Sequence, residues 1–295
     1  MEYKILATDM DGTLLKNDKS LSSKNIQALR RAHQMGMEIV ISTGRPYATL
    51  KPYLKIIGID CWLITNNGSV IRNKKDEIVD VIYIDHSTLL TVIKLLENEG
   101  IYFHGTDPHY TFIRSYRERL RVFRGYLKYK NLNPMAEGLQ LLWSVLLNGT
   151  HKRIDFKNYI NKLGKISSLF IHSNDIQRLE DLKNQLKVIA EVEITSSGRE
   201  NIEVLNRLAT KGNGLRKVCE ILKIPASDVV AVGDNINDIS MIQYAGLGVA
   251  MGNAEEIVKE IADCVTTTNE EDGISHLIDK LLSTNGVHEN KKIRV

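Results

Sequence analysis

Asp9 and Asp11 are two carboxylates separated by a single residue, followed at once by Gly12 and Thr13. Carboxylates at that spacing suit a hard divalent cation, a nucleophile, or both. The ordinary alternative is a polar turn, because Asp and Gly are common turn residues. Three further clusters carry complementary groups. Ser42-Thr43-Gly44-Arg45 adds hydroxyls, Lys211-Gly212 adds an ammonium, and Gly233-Asp234-Asn235-Ile236-Asn237-Asp238 adds two carboxylates and two amides. Together they supply acidic oxygens for a cation, a hydroxyl and an ammonium for phosphate, and a carboxylate free to act as a nucleophile. Mg²⁺ favours one or two carboxylates completed by water and a substrate phosphate. Phosphoryl transfer needs positioning and charge neutralisation above all.

The elements that must position these groups are legible around them. Tyr3-Lys4-Ile5-Leu6-Ala7-Thr8 reads as a short strand running into Asp9, Met37–Ile41 as a strand running into Ser42, and Val229–Val232 as the clearest buried strand, running into Gly233. Ser22-Ser23 caps a helix through Ile26, Leu29 and Ala32 that stops at Gly36. Pro46 suits the first turn of a helix through Tyr53, Leu54 and Ile57. A third strand, Cys61–Ile64, leads to Asn67-Gly68, a hairpin signal before Val70-Ile71. Lys211 opens a helix through Leu215, Val218 and Leu222. Alternating strands and helices predict a parallel sheet, whose ligands bind beyond the carboxyl ends of its strands. All the clusters therefore converge on one sheet edge.

From about residue 86 the pattern changes. Residues 89–96 read as a helix, 101–104 as a strand, 115–130 as a helix, 148–153 as a loop and 155–163 as a helix. A strand over 166–171, a helix capped by Asp175 and a strand over 188–194 follow. Such a succession predicts an α+β insertion with an antiparallel sheet. The expected organisation is a discontinuous core domain, 1–85 with 191–295, and an inserted domain, 86–190. Within the insertion Arg117, Arg121, Arg124 and Lys128 form a basic stripe beside an apolar one of Tyr116, Leu120, Phe123 and Leu127. A solvated face explains the basic stripe; a rim attracting phosphorylated ligands is the functional alternative. His104, Asp107 and His109 lie close together, but no second cluster completes a metal site.

Composition narrows the class. The 295 residues, 43% hydrophobic and 25% charged, are those of a globular protein of one large or two modest domains. A net charge of +3 gives no case for nucleic acid, and no apolar run is long enough for a membrane span. Asp9 and Asp11 interrupt the only early apolar stretch, so a signal peptide is not expected and a cytoplasmic protein is. Cys61, Cys219 and Cys264 are isolated in apolar contexts and read as small buried side chains. The polar tail after Thr284 is expected to fray.

The four clusters, in this order, resemble the four motifs of the haloacid dehalogenase superfamily. The α+β insertion between the third strand and Lys211 makes the Cof-type sugar-phosphatase branch the nearest resemblance. It implies a Rossmann-like parallel-sheet core with an inserted α+β cap, and a Mg²⁺-dependent phosphatase acting on a small phosphorylated metabolite, as a monomer or homodimer. It further implies Asp9 as the nucleophile and Asp11 as the general acid that then becomes the base. Mg²⁺ would lie between the carboxylates of Asp9 and Asp234 and the carbonyl of Asp11. The backbone at Met10, with Thr43, Gly44, Asn237 and Lys211, would hold the phosphate, and Asp238 would orient Lys211 or a metal-bound water. A phosphomutase with a similar core and cap is the alternative enzyme. A phospho-receiver would lack the large insertion, and Asp11 would shorten the life of its phospho-aspartate. The chain has no Gly-x-x-x-x-Gly-Lys-Ser/Thr loop for a nucleotide.

Overall fold

Ile5–Thr8 (β1) is a run of four buried residues, and the sheet that buries it is built around it. The structure, a computed structural model, describes residues 3–129, 135, 138–139, 149–196 and 198–284. Residues up to Val81 together with those from Leu208 form one unit, and Ile82–Arg207 form another.

In chain order, β1 is followed by α1 (Ser23–Gln34), β2 (Glu38–Ser42), α2 (Tyr47–Ile57), β3 (Trp62–Thr65), β4 (Val70–Arg72) and β5 (Ile78–Val81). Next come α3 (His86–Asn98), β6 (Tyr102–Thr106), β7 (Thr111–Ile113), α4 (Tyr116–Tyr129), β8 (His151–Arg153), α5 (Phe156–Asn161), β9 (Ser168–His172), α6 (Ile176–Lys187), β10 (Val192–Thr195) and β11 (Asn201–Asn206). The chain then returns with α7 (Lys211–Leu222), β12 (Val229–Gly233), α8 (Ile239–Tyr244), β13 (Leu247–Ala250), α9 (Glu256–Ile261), β14 (Cys264–Val265) and α10 (Gly273–Thr284).

The first unit carries an eight-stranded sheet in the order β14-β13-β12-β1-β2-β3-β4-β5. The strands from β14 to β3 are parallel, and β4 and β5 extend the edge antiparallel. Both faces are covered. Leu6, Ile39, Ile41 and Val232 pack with Leu29, Leu50 and Leu277 on one side, while Ile5, Val40 and Val229 pack with Leu215, Val218 and Met241 on the other. Burial from both sides is why these strands read as continuous apolar runs. Each such side chain gains about 1.5–3 kcal/mol over its exposed state. Strand order reverses at β1: the next strands, β2 and β3, lie to one side, and β12 to β14 lie to the other. Asp9, Thr43 and Asp234 follow three neighbouring strand ends at that reversal, with Ser42 and Gly233 the last residues of β2 and β12, where a crevice forms in open α/β sheets.

The second unit is a six-stranded sheet, β10-β11-β9-β6-β7-β8, antiparallel except for the β7–β8 pair. Phe103, Leu169, Ile171, Ile202 and Val204 pack on one face against Leu89, Val92, Leu179 and Leu182 of α3 and α6. Periodicity ends the insertion at residue 190, but the second unit runs from Ile82 to Arg207. The reason is pairing: β10 and β11 form an antiparallel pair, and β11 hydrogen-bonds along β9. Residues 151–153, expected in a loop, form β8 through their parallel pairing with β7.

His104 is buried and stacked on Phe170, and burial drives its pKa well below the usual imidazole value. Asp107 accepts the backbone N–H groups of His109 and Tyr110, as a turn former does. Among the described residues these three form no metal cluster. Arg117, Arg121 and Arg124 are exposed, while Asn148, the tail and the side chains of Phe123, Leu127 and Lys128 lie outside the described residues. Cys61 and Cys219 are buried and Cys264 is half-buried. Among the described residues no helix is long and apolar enough to cross a membrane.

Candidate active site

Lys211 is the centre of the site. It is the first residue of α7, whose N-cap is Thr210, the Thr210 hydroxyl accepting the Asn213 N–H. Its side chain is only 1% exposed, and its ammonium donates to Asp9 Oδ1 at 2.6 Å and to Asp238 Oδ1 at 2.5 Å. A lysine this deeply buried must be paired, because an uncompensated charge there would cost several kcal/mol. Burial alone would lower its pKa, but Asp238 and Asp9 outweigh that and raise it. Asp238 is fully buried as well. Its second oxygen accepts the backbone N–H groups of Asp234 and Asn235 at 2.9 and 3.0 Å, one half of a capping box. One carboxylate thus fixes both the ammonium and the loop that carries Asp234.

Asp9, 5% exposed, continues the β1 ladder through its N–H to the Val232 carbonyl at 3.0 Å. Asp234 accepts the Thr13 hydroxyl at 2.8 Å. Gly12 lies so close that a Cβ there would sit 2.3 Å from Asp234 Oδ2, and its φ is +82°. No other residue satisfies both demands at once. One carboxylate oxygen each of Asp9, Asp234 and Asp238 falls within a 4.8 Å cluster.

Three carboxylates against one ammonium leave the cluster two negative charges in excess when all are ionised. Burial first, then Asp238 and Asp234, push Asp9 up to about 8 despite Lys211. Burial and Asp238 push Asp234 up to about 6. A divalent cation would cancel that excess, and hard carboxylate oxygens suit Mg²⁺. Asp238 has committed both oxygens, to Lys211 and to two N–H groups, so the ligating carboxylates that fit are Asp9 and Asp234.

Three of the expected phosphate-binding residues, Thr43, Gly44 and Asn237, lie around a second centre, Asn67. Its backbone N–H donates to the Thr43 carbonyl at 3.1 Å, its side-chain carbonyl accepts the Asn237 amide at 2.9 Å, and a Cβ on Gly44 would lie 3.0 Å from it. Asn66 and Asn67 both have left-handed φ, 50° and 54°, within the turn that joins β3 to β4. Gly68, at φ +104°, abuts Thr210: a Cβ there would stand 2.2 Å from its carbonyl oxygen. The turn is thereby pressed against the residue preceding Lys211. Met10 is 1% exposed and packs into the core, so only its backbone is available to a ligand.

Asp11 is separated from the carboxylate cluster. Arg45 grips its carboxylate with both ends of the guanidinium, Nε to Oδ2 at 2.5 Å and Nη2 to Oδ1 at 2.7 Å, and the Lys19 ammonium lies 2.8 Å from Oδ1. Burial opposes ionisation, but these two cations hold Asp11 down to about 2.

The sequence pattern alone assigns no site role to Thr13, Asn67, Lys19 or Arg45. In the sequence Asn67 reads only as part of a turn signal, which the positive φ of that turn also satisfies. Arg45 carried a usable signal, a guanidinium directly after Thr43-Gly44, but nothing local points to a partner 34 residues earlier.

The family model described as haloacid dehalogenase-like hydrolase matches residues 6–278. Phosphatase YwpJ of Bacillus subtilis (strain 168) is 32% identical over 286 residues, covering 95% of this chain and all of the relative. The 5-amino-6-(5-phospho-D-ribitylamino)uracil phosphatase YcsE of the same organism is also 32% identical, over 94% of this chain and 95% of its own. The solved structure of a haloacid dehalogenase-like hydrolase from B. subtilis superposes with a TM-score of 0.79 at 31% identity, covering 94% of this chain and 99% of that one.

Proposed function

From the premise that this chain belongs to the haloacid dehalogenase-like hydrolases of the Cof type and is a phosphatase, we propose that it hydrolyses small phosphate monoesters of the sugar-phosphate kind, with Mg²⁺, through a phosphorylated Asp9. The contact of buried Asp9 with Lys211, beside Asp234 and Asp238, carries this reading. The position of the site beyond the carboxyl ends of β1, β2 and β12 supports it.

In the first displacement an oxygen of Asp9 forms a bond to phosphorus as the ester P–O bond breaks. Asp11, once it has left Arg45 and Lys19 and taken up a proton, gives that proton to the departing alcohol oxygen. In the second, Asp11 takes a proton from water while the water oxygen attacks the phosphorus, releasing inorganic phosphate and restoring the Asp9 carboxylate. Splitting hydrolysis in this way lets one carboxyl serve once as acid and once as base. Lys211 balances the negative charge gathered at Asp9, and Asp238 holds that ammonium in place. The backbone at Met10, with Thr43, Gly44 and Asn237, grips the phosphate oxygens. Mg²⁺, held by Asp9, Asp234 and the Asp11 carbonyl, would supply a Lewis acid for the phosphate oxygens.

The substrate class draws on YcsE, whose named substrate bears its phosphate on a ribityl chain. Phosphate release from a panel containing that uracil derivative, hexose phosphates and pyridoxal phosphate tests the proposal, with Mg²⁺ or with EDTA. Metal-dependent release is expected, and it should fall by at least about 10⁴-fold in Asp9→Asn, as loss of a nucleophile does. Undiminished turnover by Asp9→Asn would overturn the role of Asp9, and turnover unaffected by EDTA the role of the metal.

A further inference from the structure

Asn269, in the turn after β14, is 1% exposed, and its amide reaches back to the first motif. Its Nδ2 donates to the Leu15 carbonyl at 3.0 Å and to Asn17 Oδ1 at 3.2 Å. Its backbone N–H donates to Asn253 Oδ1 at 2.9 Å, and Asn253 Nδ2 donates to the Gly12 carbonyl at 2.8 Å. The Asn17 N–H in turn donates to Glu270 Oε1 at 2.7 Å. A backbone carbonyl only accepts and a backbone N–H only donates, so neither amide could be turned over without losing a bond. Two asparagines from the C-terminal part of the chain thus hold both ends of the turn Gly12–Leu15.

That turn closes on the peptide between the two carboxylates. The Leu15 N–H donates to the Met10 carbonyl at 2.8 Å, and the Thr13 N–H reaches the same oxygen at 3.4 Å. Leu15 is therefore pinned through both its backbone groups, its carbonyl by Asn269 and its N–H by Met10. The Met10 carbonyl and the Asp11 N–H belong to one planar, trans peptide, so they point in opposite directions. Whatever fixes that carbonyl also aims the Asp11 N–H, and a donor fixed in advance costs nothing to reorganise when charge arrives.

We propose that Asn269, backed by Asn253, is a positioning residue for the phosphate grip: through Leu15 it sets the direction of the Met10–Asp11 peptide, whose N–H meets a phosphate oxygen. The inference rests on the reading of the Met10 backbone as part of that grip. The alternative is a buried amide that serves the fold alone, as most satisfied buried amides do.

An N–H that meets the phosphoryl group acts on every ester alike, and on a free oxyanion too. In the full chain with Mg²⁺, Asn269→Ala should weaken orthovanadate binding by about 10- to 100-fold, the range for one hydrogen bond to a charged group. Titration calorimetry below each variant's unfolding midpoint reads this. The kcat/KM values for a hexose phosphate and for p-nitrophenyl phosphate should fall together by a similar factor. Thr266→Val controls for folding, because it removes a buried bond of the same segment, from the Thr266 hydroxyl to the Gly273 carbonyl at 2.9 Å. It should lower the unfolding midpoint and leave orthovanadate binding as in the wild type. Wild-type affinity in folded Asn269→Ala, or an equal loss in Thr266→Val, overturns the proposal. Should Asn269→Ala fail to fold, Asn253→Ala, at an exposed position, decides it by the same comparison. A wild type that bound no orthovanadate and turned over neither ester would overturn instead the reading of a phosphate grip, and this inference with it.

Discussion

Asp9 sits where proton and metal compete. Its carboxyl is raised from the ordinary 3.8 to about 8, so between those values the folded chain without metal holds a proton that the unfolded chain has released. A raised acid makes the folded state less stable as pH rises through that window, because the folded state binds more protons. A cation that binds Asp9 must displace that proton, so its affinity grows towards pH 8. The midpoint of thermal unfolding should therefore fall from pH 5 to pH 8 in EDTA. Added Mg²⁺ should raise it more at pH 8 than at pH 5, by an increment corresponding to about 2.7 kcal/mol at a hundredfold excess over Kd. An increment that is flat with pH would show that the ion binds elsewhere. Asp11 has the opposite sign. Its depressed value, about 2, adds stability that is complete above the ordinary carboxylate range and is lost only as pH falls towards 2.

At the scale of elements, the site depends on turns that only particular residues can make. Gly68 has φ +104° and stands against the Thr210 backbone. Gly68→Ala should destabilise the chain by about 1–3 kcal/mol and push the Asn67 turn away from α7. Loss of that much stability with phosphatase activity intact would mean that the turn has no part in the site; calorimetry and the ester assay on one preparation decide it. The placement of three of the four motifs was legible because each stands at the end of an apolar strand buried on both faces, and such strands announce themselves; Lys211 instead opens α7. The antiparallel β3–β4 hairpin was legible for the same reason, from Asn67-Gly68 between two apolar runs. β8 was not: His151-Lys152-Arg153 has no apolar member, and only its pairing with β7 makes it a strand. Arg45 and Asp11 show the complementary blindness. Each charge is plain in the sequence, yet their pairing depends on where β1 and β2 end side by side, which no local pattern carries.

The two units have separate hydrophobic cores, and so separate sensitivities. Leu182 is buried in the second unit, among Leu89, Phe103, Leu169 and Val204. Leu182→Ala should cost about 2–5 kcal/mol, the usual cost of a core cavity. Amide hydrogen exchange should locate the loss in β6, β9 and β11 and leave protection in β1 and β12 unchanged. Equal loss in both sheets would make the chain a single cooperative block. The end of the second unit is the part of the molecule that composition and periodicity misplace. Asn201–Asn206 alternates polar and apolar residues only at its start, and only its partners β9 and β10 assign it.

Thr13 and Asp234, which meet in the site, are 221 residues apart, and β1 is bounded on one side by β12. A ribosome adding roughly 5–20 residues per second needs about 10–45 s to travel that far. For all of that time one edge of β1, a run of four buried residues, lacks its neighbour, while the whole inserted segment is being made. The nascent chain must shelter that edge without completing the site, so no phosphatase can be active on the ribosome before β12 emerges.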